Sequence, residues 1–408
     1  MSRAIVFAIA AIWAFGPAVA QVTVVAAGDI ACDPGDSAYN GGSGTPALCR
    51  QRATSDLAMA LAPDAVLLLG DNQYDFGALS AYQTAFATSW GRLGAKLRPA
   101  PGNHEYLTAG AAGYFAYFGA AAANGHYSFD LGGWHFVSLD SNCAQAGGCS
   151  KGSPQEKWLR QDLAAHAGMC TLAYWHHPRF SSGLHGDDAA YVSFWQTLQE
   201  GGADVVLNGH DHDYERFAPQ DAFGTAEPAR GLREFVVGTG GRELRPFVQI
   251  SANSVRRLVN DFGVLRLRLR AGGYDWQFVT EKGTVADGGS APCQGPEGET
   301  ALMLADGRFR ISATWRHDGL AGSARPGPEA TASAGVMWFF DSSNWELLVK
   351  VIDGCALNGH YWLFASATTN VGFTLEAVDG QSGREYRLEQ APDAVMKPLQ
   401  DTSAFPCD

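Results

Sequence analysis

Five loops in the first two-thirds of the chain each place, beside a glycine or a tryptophan, side chains able to ligate hard or borderline metal ions. They are Gly28-Asp29, Gly70-Asp71-Asn72-Gln73-Tyr74, Gly102-Asn103-His104-Glu105, Trp175-His176-His177-Pro178 and Gly209-His210-Asp211-His212. Apolar runs at Val22–Ala27, Ala65–Leu69, Cys170–Trp175, Val205–Asn208 and Glu234–Val237 are too short and too aliphatic for helices, and are predicted to be buried strands. Amphipathic stretches between them predict helices over Cys49–Leu61, Leu79–Trp90, Pro154–Ala167 and Ala190–Glu200. The third opens on Ser153-Pro154-Gln155-Glu156, which offers an N-cap, a first-turn proline and a capping-box glutamate; the fourth stops at Gly201-Gly202. Tyr127–Leu131 and Trp134–Leu139, joined by Gly132-Gly133, predict a hairpin. Strands alternating with helices imply an α/β layer fold, in which residues far apart in sequence converge where strands end.

Carboxylate, amide oxygen and imidazole together suit Zn, Fe or Mn, and the absence of thiolates from the loops argues against Cu(I) or iron–sulfur chemistry. The chain carries 42 acidic against 29 basic residues, a net charge of −13, with no Lys/Arg run. Such a surface repels polyanions, so nucleic acid is not expected as a general partner.

At 408 residues the chain exceeds one ordinary core. A Gly/Pro-rich stretch, Asp287–Glu299, marks the expected boundary. The expected division is a leader over 1–20, a catalytic domain over 21–286, a connector over 287–298 and an accessory β domain over 299–408. In the last, Phe309–Trp315, Gly335–Phe340, Trp345–Val351, Tyr361–Ala367, Gly372–Val378 and Arg384–Leu388 predict short strands of an all-β sandwich without helices.

Arg3, the apolar run Ala4–Phe15 and Ala18-Val19-Ala20 have the layout of a cleaved secretory signal. No later segment is long enough for a membrane span, so a secreted or periplasmic protein is expected. Eight cysteines suit an oxidising compartment. Local spacing favours Cys32–Cys49 and Cys143–Cys149, with Cys355–Cys407 expected to close the C-terminal region; the absence of CxxC argues against a cysteine zinc site.

From Val22 to Val279 the chain resembles the calcineurin-like metallophosphoesterase superfamily, in particular its purple acid phosphatase branch. The resemblance rests on Gly70-Asp71-Asn72-Gln73-Tyr74, Gly102-Asn103-His104-Glu105, His176 before His177-Pro178, and Gly209-His210-Asp211-His212, in that order after Gly28-Asp29. It implies a layered metallophosphoesterase fold, β-sheets flanked by helices, and a two-metal cofactor: iron paired with iron, zinc or manganese. By position, Asp29, Asp71, Tyr74 and His212 would hold one ion, and Asp71, Asn103, His176 and His210 the other, Asp71 bridging. Tyr74 stands in for the histidine that other branches carry two residues after the first aspartate, where this chain has Ala31. A phenolate is a hard donor that favours trivalent iron. The resemblance assigns phosphate binding and leaving-group protonation to His104, with His185 as a second catalytic histidine. His177, Glu105 and Asp211 are expected to support ligands or touch substrate: Glu105 either holds His104 or is an unrelated structural carboxylate, and Asp211 either orients an imidazole or is simply solvated.

The implied activity is hydrolysis of small phosphate monoesters by attack of a metal-bound hydroxide. GxSxG and P-loop patterns are absent, which removes serine-esterase and nucleotide-motor alternatives. Two other readings compete: a phosphodiesterase acting on nucleotides or phospholipid head groups, and an envelope binding protein on an inactive phosphatase scaffold. The C-terminal region, with Trp338-Phe339-Phe340, Trp345–Val351 and Asp353–Gly359, resembles a domain appended to other secreted bacterial proteins. It is expected to bind or stabilise, with envelope or glycan contact as its candidate role.

Overall fold

The computed structural model describes residues 21–407, apart from 229, 271, 294–300, 306, 318–319, 328–329 and 341–343. The expected leader lies outside the described residues, as do residues 294–298 of the expected connector. The chain divides into two units, one running up to Ala165 and from Cys170 to Pro292, the other comprising His166–Met169 and the residues from Cys293 onward.

In the first unit, β1 (Val22–Ala27), β2 (Ala65–Leu69) and β3 (Leu97–Ala100) pair in parallel. Beyond β1 the sheet continues antiparallel through β11 (Gly263–Arg270), β12 (Gly273–Thr280) and β13 (Val285–Pro292). A second sheet runs β10 (Ser254–Leu258), β8 (Tyr214–Phe217), β9 (Arg233–Val237), β7 (Val205–Asn208), β6 (Cys170–Tyr174), β5 (Trp134–Ser138), β4 (Tyr127–Leu131). Within it β5, β6, β7 and β9 are parallel. Aromatic rings cross from one sheet to the other: Tyr214 on Phe278 at 4.2 Å, Trp134 on Tyr274 at 5.7 Å and Phe235 on Trp276 at 5.8 Å. Strands covered on both faces need no polar side, which is why β2, β6 and β7 are unbroken apolar or small-residue runs, buried throughout.

Helices α1 (Gln51–Ala60), α2 (Leu79–Ala81), α3 (Ala112–Phe118), α4 (Pro154–Ala165) and α5 (Val192–Glu200) fall between the strands. The capping box at α4 forms in altered detail: the Glu156 amide donates to Ser153 Oγ at 3.3 Å, while the Glu156 carboxylate accepts from the Gly152 amide at 2.9 Å. The single helix expected over Leu79–Trp90 is not one element. After α2 the backbone widens into a π turn at Tyr82–Phe86 and resumes as a 3-10 helix at Trp90–Lys96. The widened turn carries Tyr82, whose hydroxyl donates to the buried Glu105 carboxylate at 2.8 Å; a long-range bond competes with helix regularity there.

Asp287–Pro292, expected to open the connector, instead pairs with β12 as an edge strand. Its glycines suit the partner: a Cβ on Gly289 would stand 2.3 Å from the Trp276 ring.

The second unit is an antiparallel sandwich. One sheet is β14 (Ala301–Leu304), β15 (Phe309–His317), β21 (Gly372–Asp379) and β22 (Glu385–Gln390), with β16 (Leu320–Ser323) beside β15. The other is β17 (Arg325–Pro326), β18 (Ala334–Trp338), β19 (Leu347–Asp353), β20 (His360–Ala367) and β23 (Leu399–Pro406). Phe309, Ile311, Met337, Val349, Leu363 and Phe373 alternate inward to form its core. A helical turn at Cys355–Asn358 departs from the helix-free expectation; it starts at Cys355, which is bonded to Cys407. The expected disulfides Cys32–Cys49, Cys143–Cys149 and Cys355–Cys407 are formed, and no described cysteine is free.

Candidate metal centre

The carboxyl ends of both sheets of the first unit meet at one place. β1 delivers Asp29, β2 delivers Asp71 and Tyr74, and β3 delivers Asn103 and His104. From the other sheet β6 delivers His176 and His177, and β7 delivers His210 and His212. Asp29, Asp71 and His210 all hold a left-handed backbone, with φ of 59°, 46° and 71°. Non-glycine residues adopt that region rarely and at a cost, and such residues concentrate at functional sites. Two of the preceding glycines are required by close approach. A Cβ on Gly70 would stand 2.6 Å from His176, and one on Gly102 2.2 Å from the Asp71 carboxylate.

Each carboxylate divides its oxygens between scaffold and site. Asp29 Oδ2 accepts from the His210 amide at 2.8 Å, leaving Oδ1 2.9 Å from Tyr74 Oη and 3.3 Å from His212 Nε2. Asp71 Oδ1 accepts from the His104 amide at 2.9 Å, leaving Oδ2 free to face inward. That one oxygen lies 3.0 Å from Tyr74 Oη and 3.3 Å from His176 Nε2. His176 Nε2 lies in turn 3.1 Å from Asn103 Oδ1 and 3.2 Å from His210 Nδ1. Asp71 therefore touches two donor groups, Asp29–Tyr74–His212 on one side and Asn103–His176–His210 on the other.

The donor chemistry calls for cations. His176 Nδ1 faces the Leu69 carbonyl at 2.8 Å and must donate to it, so the lone pair of neutral Nε2 points among acceptors. Without a metal the nearest remedy is a proton. Burial opposes the charge on His176, yet Asp71 outweighs it and pushes the imidazole up to about 9. Burial likewise opposes ionisation of Asp71, which the His176 charge nevertheless holds far below the usual carboxylate range. Burial, and then the Asp29 and Asp71 charges, raise the Tyr74 phenol well above its ordinary value. Cations between these groups would take the place of the proton on His176, favour the Tyr74 phenolate and keep Asp71 ionised, so the residues present fit two metal ions.

His104 and His185 flank this cluster. His104 Nδ1 donates to the Asp75 carbonyl at 2.6 Å, which turns Nε2 toward Asp71 Oδ2, 3.8 Å away. His185 stacks on His210 at 3.9 Å and meets Asp211 Oδ1 through Nδ1 at 2.8 Å, so Asp211 orients an imidazole. His177 packs on His210 at 4.4 Å, with Nδ1 on Ser141 Oγ at 2.8 Å; burial and the His176 charge push it down to about 3.

Glu105 does not hold His104. Its Oε1 accepts from the amides of Asn72 at 3.0 Å and Gln73 at 3.2 Å and from the Tyr82 hydroxyl, and its Oε2 accepts from the Gly102 amide at 2.7 Å. A fully buried carboxylate seeks fixed donors, and the backbone of the two ligand loops supplies them.

Three contributors were not anticipated. Ser141 follows β5 and anchors His177. The turn after β9 brings Arg242 over the Tyr74 ring at 5.2 Å and Glu243 to 3.5 Å from His212 Nδ1. Their signal was the run Gly240-Gly241-Arg242-Glu243 just past a strand that had been expected.

Residues 23–214 match the family model of the Calcineurin-like phosphoesterases. Over this stretch, a little under half of its length, the chain is similar to that family. Among curated relatives it is 38% identical over 97 residues to Purple acid phosphatase 15 of Arabidopsis thaliana, covering 22% of this chain and 18% of that protein. An uncharacterized protein of Mycobacterium tuberculosis (strain ATCC 25618 / H37Rv) is 31% identical over 184 residues, covering 35% of each. The chain thus spans only about a fifth to a third of these relatives. Among solved structures it is similar to purple acid phosphatase PPD1 from yellow lupin (Lupinus luteus) seeds, with a TM-score of 0.57 at 21% identity over 67% of this chain and 54% of that one. GAP50, the anchor in the inner membrane complex of Plasmodium, gives a TM-score of 0.51 at 15% identity, over 67% of this chain and 89% of that one. At such identities the structural likeness establishes the layered metallophosphoesterase fold.

Proposed function

We propose that the chain is a metal-dependent phosphoric ester hydrolase acting on small phosphate monoesters. The observation that carries this reading is Asp71 Oδ2, one carboxylate oxygen within 3.3 Å of donors from both groups. Asp29, Asp71, Tyr74 and His212 would hold one ion and Asp71, Asn103, His176 and His210 the other, with iron favoured beside Tyr74 and iron, zinc or manganese as its companion. Two such ions supply charge neutralisation at the phosphoryl oxygens and an activated water.

The chain's own residues do the rest. His104, fixed at Nδ1 by a carbonyl, presents Nε2 to a phosphoryl oxygen above Asp71. His185 is held by Asp211 and has 37% of its side chain exposed, which suits a general acid that meets leaving groups of varied shape. His177 lies against both His176 and His210, at 4.9 and 4.4 Å between ring centroids. This complement of three histidines beyond the ligand set favours an active enzyme over a binding scaffold. Complete disulfide pairing among the described cysteines supports function in an oxidising, secreted or periplasmic setting. Among the described residues no helix is long and apolar enough to cross a membrane. In the second unit Phe340 and Trp345 are half exposed, which supports an envelope- or glycan-contacting role for that sandwich.

The test is elemental analysis and a visible spectrum of the purified protein, followed by turnover of p-nitrophenyl phosphate and bis-p-nitrophenyl phosphate. Two metals per chain and monoester preference are expected. Absence of bound metal with no turnover of either ester would overturn the proposal, and a diester preference would replace it with the phosphodiesterase reading.

A further inference from the structure

The outer face of the first sheet carries a charge arrangement that the metal centre does not use. Along β11 the leucines Leu265, Leu267 and Leu269 are buried, so the alternating Arg266, Arg268 and Arg270 share the opposite face. The register sets Arg266 beside Gln277 and Arg268 beside Asp275 on β12, and those beside Gly288 and Ser290 on β13. Between these six residues and the neighbouring backbone lies a cavity of about 350 Å³.

Among the described residues Asp275 is the one carboxylate lining the cavity, and it is taken by Arg270 at 2.7 Å. Arg266 donates through one terminal nitrogen to Gln277 Oε1, while its buried Nε–H has no partner. Neither Arg266 nor Arg268 pairs with a carboxylate among the described residues. Burial, and then the adjacent Arg268, lower Arg266 below the ordinary arginine value. Two neighbouring guanidiniums whose nearest lining carboxylate, Asp275, is held by a third arginine, Arg270, stand out on a chain of net charge −13. Glycine at 288 keeps the floor clear of a side chain, so the donors border open space instead of packed atoms. A planar guanidinium with free donors in a polar recess matches an oxyanion, which it binds through paired N–H···O bonds.

We propose that Arg266 and Arg268 form a binding site for a tetrahedral dianion, a phosphate or sulfate group, on the face of β11, β12 and β13. The site is independent of the metal ligands, since none of its residues belongs to the loops that carry them. Gln277 positions Arg266 and leaves its Nε–H for the ligand, and Ser290 offers a hydroxyl from the far strand.

The experiment is thermal unfolding of the metal-loaded protein against sodium sulfate, with sodium chloride balancing ionic strength and sodium malonate as a carboxylate control. Wild type should gain roughly 2–4 °C per tenfold rise in sulfate beyond saturation, and less from malonate. Arg266→Gln/Arg268→Gln should lose this gain while retaining p-nitrophenyl phosphate turnover. Gln277→Glu should also lose it, because the new carboxylate occupies Arg266 from within the fold. Selenate soaked into crystals should appear at this face by its anomalous signal. An equal sulfate response in wild type and both variants would overturn the proposal, as would a malonate response equal to that of sulfate.

Discussion

Glu105 braces the two loops that carry Asp71 and Asn103, and Glu105→Gln tests that account. The substitution keeps the side-chain shape but turns one carboxylate oxygen into an amide NH2. Either orientation sets N–H against N–H. The less costly one abandons the Gly102 amide, now 2.7 Å from Oε2, because the other abandons both Asn72 and Gln73. A buried amide left unmet costs about 1–3 kcal/mol, and each remaining bond falls from charge-assisted to neutral strength, roughly 0.5–1 kcal/mol apiece. Burial and the Asp71 charge push the Glu105 carboxyl up to about 7, so near neutral pH it bears its charge only part of the time in the metal-free protein. That fraction discounts the charge-assisted share, and the expected loss is about 3 kcal/mol. Equilibrium urea unfolding of metal-stripped protein measures it, and elemental analysis after reloading should show reduced metal content as the Asp71 and Asn103 loops lose their common anchor. Unchanged stability, within about 0.5 kcal/mol, together with two metals retained would refute the bracing account.

Other consequences can be checked in parallel. Asp71→Asn removes the charge shared by both donor groups and should reduce metal content below one ion per chain and turnover by at least about 10³-fold. His185→Asn should slow alkyl phosphates more than p-nitrophenyl phosphate, by about 10²-fold or more, since a general acid matters most for poor leaving groups; equal losses on both would exclude that role. His135 is buried between Asp130 at 2.7 Å and Asp162 at 2.8 Å. Burial opposes its charge, but the two carboxylates outweigh burial and raise it above the ordinary value. Its contribution is therefore fully present below the unfolded-state value near 6.5 and is lost as pH rises through the folded one. His135→Gln should accordingly destabilise the protein more at pH 5.5 than at pH 9, measured as urea midpoints. In the C-terminal unit, Arg308→Ala would leave the buried Asp379, now paired at 2.8 and 2.9 Å, without its partner, at about 3–5 kcal/mol in thermal or urea unfolding.

Much of this centre was legible because its strands are insulated from solvent on both sides. Val22–Ala27, Ala65–Leu69 and Val205–Asn208 begin and end where the apolar runs do. The loop after each carries a candidate donor, Asp29, Asp71 or His210, whereas β3, which precedes Asn103, is not among the expected strands, its four residues being interrupted by Arg98 and Pro99. What escaped was set by partners distant in sequence. Asp287–Pro292 has the composition of a connector, and only β12 makes it a strand. Leu79–Trp90 has helical periodicity, yet Tyr82 answers to Glu105 across the fold. Glu105 sits beside His104 in sequence but bonds to backbone from two other turns. Arg242 and Glu243 carry no spacing that ties them to Tyr74 or His212.

The left-handed backbone at Asp29, Asp71 and His210 bears on how the protein would acquire metal. These turns are tied to one another by the protein's own bonds: the Asp29 amide to the Gly70 carbonyl at 3.1 Å, the Ile30 amide to the Asp71 carbonyl at 2.9 Å, and the Arg242 amide to the Asp29 carbonyl at 2.9 Å. Donor positions fixed this way are decided at folding, before the identity of any ion matters. If the proposed ions bind, the Tyr74 phenolate would favour iron at its own position and the supply of ions where the chain matures would set the companion, so samples prepared in different media should differ in metal content while sharing one structure.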